Sequence, residues 1–159
     1  MSPPAPTLRA PTVEVTRRVR AWAPSRAAFA RWAAAALGRR GAGRELAVRI
    51  VAPAESRRLN AAWRGRDRPT NVLSFPVAGL ETGATRPLGD LVICAAVVRA
   101  EARAQGKPLV AHWAHLVVHG VLHLIGYDHE HEADARRMER REIAVLRRLG
   151  FPNPYVARI

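Results

Sequence analysis

Three of the six histidines in this chain, His119, His123 and His129, stand at the spacing of a metal site. In the run His119-Gly-Val-Leu-His123-Leu-Ile-Gly-Tyr-Asp-His129 the first two lie four residues apart, so on a helix they share a face one turn apart and can chelate one ion. Gly126 follows three residues after His123, where a glycine takes the positive φ that ends a helix and folds the chain back to deliver His129. Structural zinc sites are closed by four side chains with cysteines among them, and this chain has a single cysteine, Cys94. Three protein ligands and an open position is instead the catalytic arrangement, so the run predicts one catalytic metal ion.

The spacing is that of the metzincin signature with one change: Gly120 stands where a protease carries its general-base glutamate. His115 lies one turn before His119 and predicts either a general base or a residue that only lines the cleft. Asp128, beside the third histidine, is placed to cap the turn or orient a ligand. Asp90, inside the apolar run Leu-Gly-Asp-Leu-Val-Ile, is expected to orient a ligand histidine from behind or to pair with a core arginine. A second concentration of chemistry is Trp63-Arg-Gly-Arg-Asp-Arg-Pro-Thr-Asn-Val-Leu-Ser-Phe-Pro76, whose Arg64, Arg66 and Arg68 sit in a turn beside a strand and are suited to hold a phosphate.

The elements that must position these groups can be read from periodicity. Val13, Val15 and Val19 predict a first strand; Ser25 caps a helix to Leu37, and a loop through Gly41 and Gly43 follows. Leu46 to Ile50 alternate as a second strand, Ala54 to Trp63 predict a helix ended by Gly65, and Asn71–Phe75 and Leu88–Cys94 predict two more strands across a polar loop. Helices are expected over Ala95–Gln105, Pro108–Ile125 and Glu132–Leu149. The predicted fold is α+β, a four-stranded mixed sheet covered by helices, with a zincin-like central helix carrying the histidines. On that helix His112, His115, His119 and His123 fall within an arc of about 80°, one polar stripe expected to open into one cleft. The last helix sets Met138, Val145 and Leu149 opposite an arginine-rich face that reads as solvated.

At 159 residues the chain suits one domain, expected over 12–159, after a proline-rich leader, 1–11, expected to be disordered. The lone cysteine and the prolines at the N-terminus predict a cytoplasmic protein with no secretory signal, and no apolar run is long enough for a membrane helix. The net charge is +13, carried by arginine throughout except for Lys107, which favours a polyanionic partner such as RNA, DNA or a ribosomal surface over an acidic protein.

The histidine run, taken together with Arg64 through Pro76, Leu88 to Ile93 and the ending Leu149-Gly-Phe-Pro-Asn-Pro-Tyr155, resembles the YbeY family of bacterial endoribonucleases over nearly the whole chain after the leader. The resemblance implies one Zn²⁺ per chain held by His119, His123 and His129, and a functional arginine at Arg64. It further implies roles in maturing the 3′ end of small-subunit (16S) ribosomal RNA and in ribosome quality control, with ribosomal RNA precursor and ribosomal or small-subunit proteins as partners. Two rivals stay open: a zincin-type metalloprotease, which should want an acid at position 120, and a non-catalytic ribosome-assembly RNA-binding factor, which would need the arginines but not the metal ligands.

Overall fold

Alternating apolar residues and glycine or proline breaks divide the described residues into four strands and five α-helices. In chain order these are Thr12–Arg17 (β1), Arg26–Leu37 (α1), Glu45–Val51 (β2), Pro53–Arg64 (α2), Val72–Pro76 (β3), Pro87–Cys94 (β4), Ala95–Gln105 (α3), Leu109–Leu124 (α4) and Glu132–Arg148 (α5). The structure, a computed structural model, describes residues 10–77 and 86–156. Most of the expected leader and of the polar loop before β4 therefore lie outside the described residues. Pro11 is buried, within reach of Gly41, so the end of the expected leader packs on the fold.

The sheet order is β1-β2-β4-β3, with β1, β2 and β4 parallel and β3 antiparallel along β4 as an edge strand. The two faces of the sheet bury different residues because side chains alternate along each strand. One face carries Leu46, Val48, Ile50, Leu91 and Ile93 and packs under α1, α4 and α5 in the main core. The other carries Val51, Leu73, Val92 and Cys94 beneath Leu59 of α2. Phe29 meets both Trp32 and Trp113 edge to face at 6.0 Å, which locks α1 onto α4.

The starts and stops follow local chemistry. The Ser25 hydroxyl accepts from the Ala28 N–H at 3.2 Å and caps α1 as expected. Gly38–Gly41 forms a single 3₁₀ turn where the sequence predicted loop. Val19 lies beyond β1, although the Arg18 N–H still pairs with the Ile50 carbonyl at 2.9 Å. Gly89, at φ +140°, sits where an added Cβ would lie 2.2 Å from the Phe75 carbonyl oxygen, so only glycine allows β3 to close on β4. Among the described residues no helix is long and apolar enough to cross a membrane.

Candidate metal centre and its cleft

Helix α4 is buried on nearly every side, and its histidines are the exception that opens outward. Its dense core face, from Trp113 to Leu124, presses on the sheet so closely that a Cβ at Gly120 would stand 2.8 Å from Leu91 Cδ2 and 3.2 Å from Ser74 Oγ. The Ser74 hydroxyl donates to the Gly120 carbonyl at 2.9 Å, pinning α4 to β3. Position 120 is thus a packing position turned into the sheet, with no room for a glutamate that could act as a base.

One turn further round, His119 and His123 face out. Their helix ends at Ile125, and Gly126, at φ +102°, reverses the chain. Asp128 then holds the turn: its carboxylate accepts from the His129 N–H at 2.7 Å and the Glu130 N–H at 3.2 Å. Those backbone donors, the His129 one foremost, hold the Asp128 carboxyl below its ordinary range. Asp128 therefore orients the third histidine through its backbone. Ring nitrogens of His119, His123 and His129 all lie within 4.8 Å of one another.

The rings are also aimed. His119 Nδ1 donates to Glu142 Oε1 at 2.8 Å, and His123 Nδ1 donates to the Tyr127 carbonyl at 2.9 Å. Tying up Nδ1 on both rings leaves each Nε2 free to ligate, which is the orientation a bound metal requires. The donor set fits a divalent ion such as zinc: three imidazoles and an open side toward solvent. Burial, and then the neighbouring imidazoles His119 and His129, push the His123 pKa down to about 4, which keeps that ring in the neutral, ligating form.

Glu142 is the functional residue that sequence reading did not single out. It is 1% exposed, and its carboxylate accepts from His119 Nδ1 and His115 Nε2 at 2.8 Å each and from the Tyr155 hydroxyl. Burial alone would raise its pKa, but the hydrogen bonds from His115 and His119 outweigh it and hold the group near about 2, ionised. The signal was present: Met138, Glu142, Val145 and Leu149 recur at intervals of four, three and four, which puts an acid on the buried stripe of α5. His115, His119 and Glu142 also lie within ligand distance of one another, but this carboxylate already accepts from both imidazoles and is read as their anchor.

That anchor divides the histidine stripe, which was expected to open into one cleft. Glu142 and Tyr155 lie across the histidine stripe, so His119 and His123 open into one cleft while His112 and His115 line a separate cavity of about 340 Å³. His115 has its Nε2 engaged by Glu142, and burial pushes its pKa down; its ring meets His119 edge to face at 6.3 Å, and both imidazoles share that carboxylate. His112 pairs with Glu101 at 3.0 Å. Asp90 shares its face of β4 with Val92 and Cys94, turned from α4, and among the described residues it bonds to none of the histidines.

The cleft on the metal side has a volume of about 700 Å³ and runs along the free edge of β3, between the histidines and the loop after α2. Arg64 and Arg66 line it together with Asp128 and Glu130; Arg68 does not. The loop is templated by its helix: Gly65 at φ +70° turns the chain, buried Asn60 donates to the Arg68 carbonyl at 2.8 Å, and buried Ser56 both donates to the Thr70 carbonyl and accepts its N–H. Asn60 thus engages the Arg68 backbone in holding the loop, and Arg64 and Arg66 line the cleft together with His119, His123 and His129.

A mixed sheet with an antiparallel edge strand beside a buried helix, and two helical histidines joined by a third after a glycine turn, define a zincin-like metal-centre protein. The sequence pattern of endoribonuclease YbeY matches residues 14–150, and the chain belongs to that family. It is 58% identical over 132 residues to endoribonuclease YbeY of Methylococcus capsulatus, covering 83% of this chain and 87% of that one. It is 57% identical over 141 residues to endoribonuclease YbeY of Alkalilimnicola ehrlichii, covering 86% and 84%. In fold it is similar to TM1509 of Thermotoga maritima, known from a solution structure, with a TM-score of 0.57 at 22% identity over 87% of this chain and 92% of that one.

Proposed function

We propose that this chain is a zinc-dependent, single-strand-specific endoribonuclease that works in the cytoplasm on ribosomal RNA precursor, in maturing the 16S 3′ end and in ribosome quality control, alongside ribosomal or small-subunit proteins. The observation that carries the reading is one cleft holding three convergent imidazoles on one wall and Arg64 and Arg66 on the other. Family membership and a net charge of +13 support RNA as the substrate.

In this reading His119, His123 and His129 hold one divalent ion, which supplies Lewis acidity toward a phosphoryl oxygen. Arg64 offers a planar fork to the same phosphate from the opposite wall and faces the charge that grows as the phosphodiester is attacked. Arg66, on the same wall, holds a neighbouring phosphate and sets the direction of the strand. Glu142 fixes the His119 ring, with His115 and Tyr155 holding Glu142 in turn, so His115 acts as a positioning residue and not as the general base. The protease reading loses its base for a physical reason, since Gly120 faces Leu91 and Ser74.

A His119→Ala variant tests this when metal content, RNA binding and RNA cleavage are measured separately. The expected result is loss of metal and cleavage with RNA binding largely kept. Cleavage at the wild-type rate would refute the proposed mechanism, and peptide hydrolysis by the wild-type protein would revive the protease.

A further inference from the structure

Arginines explain how the cleft could hold a phosphate backbone; they do not explain Trp63. This residue stands in the last turn of α2 beside Arg64, lines the same cleft as the histidines, and is 57% exposed. Covering the core does not account for it, because Val51, Leu73, Val92 and Cys94 are each at most 3% exposed and Leu59 already packs over them. Phe75 props the indole from one side, with ring centroids 5.0 Å apart and planes at 55°, and leaves the rest of the ring open. An indole held in place by another aromatic, beside two arginines, pairs a flat apolar surface with a cationic track.

We infer that Trp63 is a nucleobase-stacking platform, which takes an unstacked base of single-stranded RNA next to the phosphate engaged by Arg64. The inference rests on the RNA reading above and deepens it. The edge strand β3 lies between the two features: Val72 and Ser74 face α4 and the histidines, while Leu73 and Phe75 face α2 and Trp63. A strand crossing this edge brings a phosphate to one side and its neighbouring base to the other. Bases paired in a duplex offer no free face, so the platform selects single-stranded or frayed RNA; it tolerates any base, because every base has a π surface.

The test compares equilibrium binding of metal-loaded wild type, Trp63→Ala and Trp63→Phe to a fluorescent 2′-O-methylated single-stranded RNA, checked to be intact at each point, and to the same backbone carrying abasic positions. Trp63→Ala should weaken binding of the base-bearing strand on the order of ten- to hundredfold and leave the abasic strand within about twofold, with Trp63→Phe close to wild type. Thermal melting of Trp63→Ala should match wild type, given how much of the indole is exposed. Equal loss on both strands, or no loss on either, overturns the platform. Wild-type cleavage of unmodified RNA is measured alongside: its failure sinks the proposed function, whereas cleavage with no base-dependent effect at Trp63 sinks only this inference.

Discussion

Replacing Glu142 by glutamine keeps the shape of the side chain and removes one acceptor oxygen, which makes it the sharpest probe of how the metal centre is held. The carboxylate now serves two imidazoles and a phenol, with His119 on Oε1 and His115 and Tyr155 on Oε2. A glutamine has one acceptor oxygen and one amino group. If the amino group faces His119, the ring must turn acceptor at Nδ1, and the proton moves to the Nε2 that should bind metal. If it faces the other side, His115 and Tyr155 lose their acceptor; the exposed phenol can turn to solvent, while the largely buried imidazole is left unsatisfied at a cost of about 1–3 kcal/mol. Carboxylates behind metal-binding histidines contribute roughly 10- to 100-fold in affinity, so Glu142→Gln should weaken metal binding by that factor while the protein still folds. Competition against a chelator of known affinity measures this. Wild-type metal affinity in Glu142→Gln would refute the claim that this carboxylate sets the His119 ring.

Arg64→Glu should abolish RNA cleavage with metal content unchanged, because it reverses charge in the cleft wall and touches none of the histidines; cleavage at the wild-type rate would make Arg64 a surface residue. Gly120→Glu should not create a protease but should destabilise the fold by about 3 kcal/mol or more, lowering the melting temperature by roughly 10 °C, since the side chain has to enter between Leu91 and Ser74. The metal-free protein should lose stability on acidification in two stages. His123, depressed to about 4, contributes stability that is complete above its ordinary value of 6.5 and is lost as pH falls toward 4; Glu142, depressed to about 2, contributes stability lost between 4.5 and 2. Each of these two groups takes up one proton and contributes a slope of at most ~1.4 kcal/mol per pH unit, and urea unfolding that is flat from pH 7 to 4.5 would contradict the first.

The clustering of His119, His123 and His129 was legible in the sequence because its parts are local: a four-residue helical interval and a glycine stop bring the three together without knowledge of the fold. Ser25 as a helix cap and Gly65 as a stop were legible for the same reason. What depends on distant packing was not. Alternation puts Asp90 opposite Leu91, but nothing in the chain says which face α4 covers. The helical wheel grouped four histidines, yet could not show that Glu142 and Tyr155, from α5 and the segment after it, divide the stripe. Glu142 itself was hidden in an arginine-rich helix, where an acid reads as a surface ion-pair partner unless the Met138-to-Leu149 periodicity is followed through it.

On the proposed mechanism, RNA cleavage in this cleft depends on a single ion held by three histidines. Purified protein stripped with a chelator and reloaded with zinc in known ratios, assayed on a ribosomal RNA precursor, tests it most directly. Stripping should leave a folded protein without activity, and cleavage should return in proportion to added zinc and saturate at one ion per chain. Undiminished cleavage by the stripped protein, or saturation only at two or more ions per chain, would contradict that dependence.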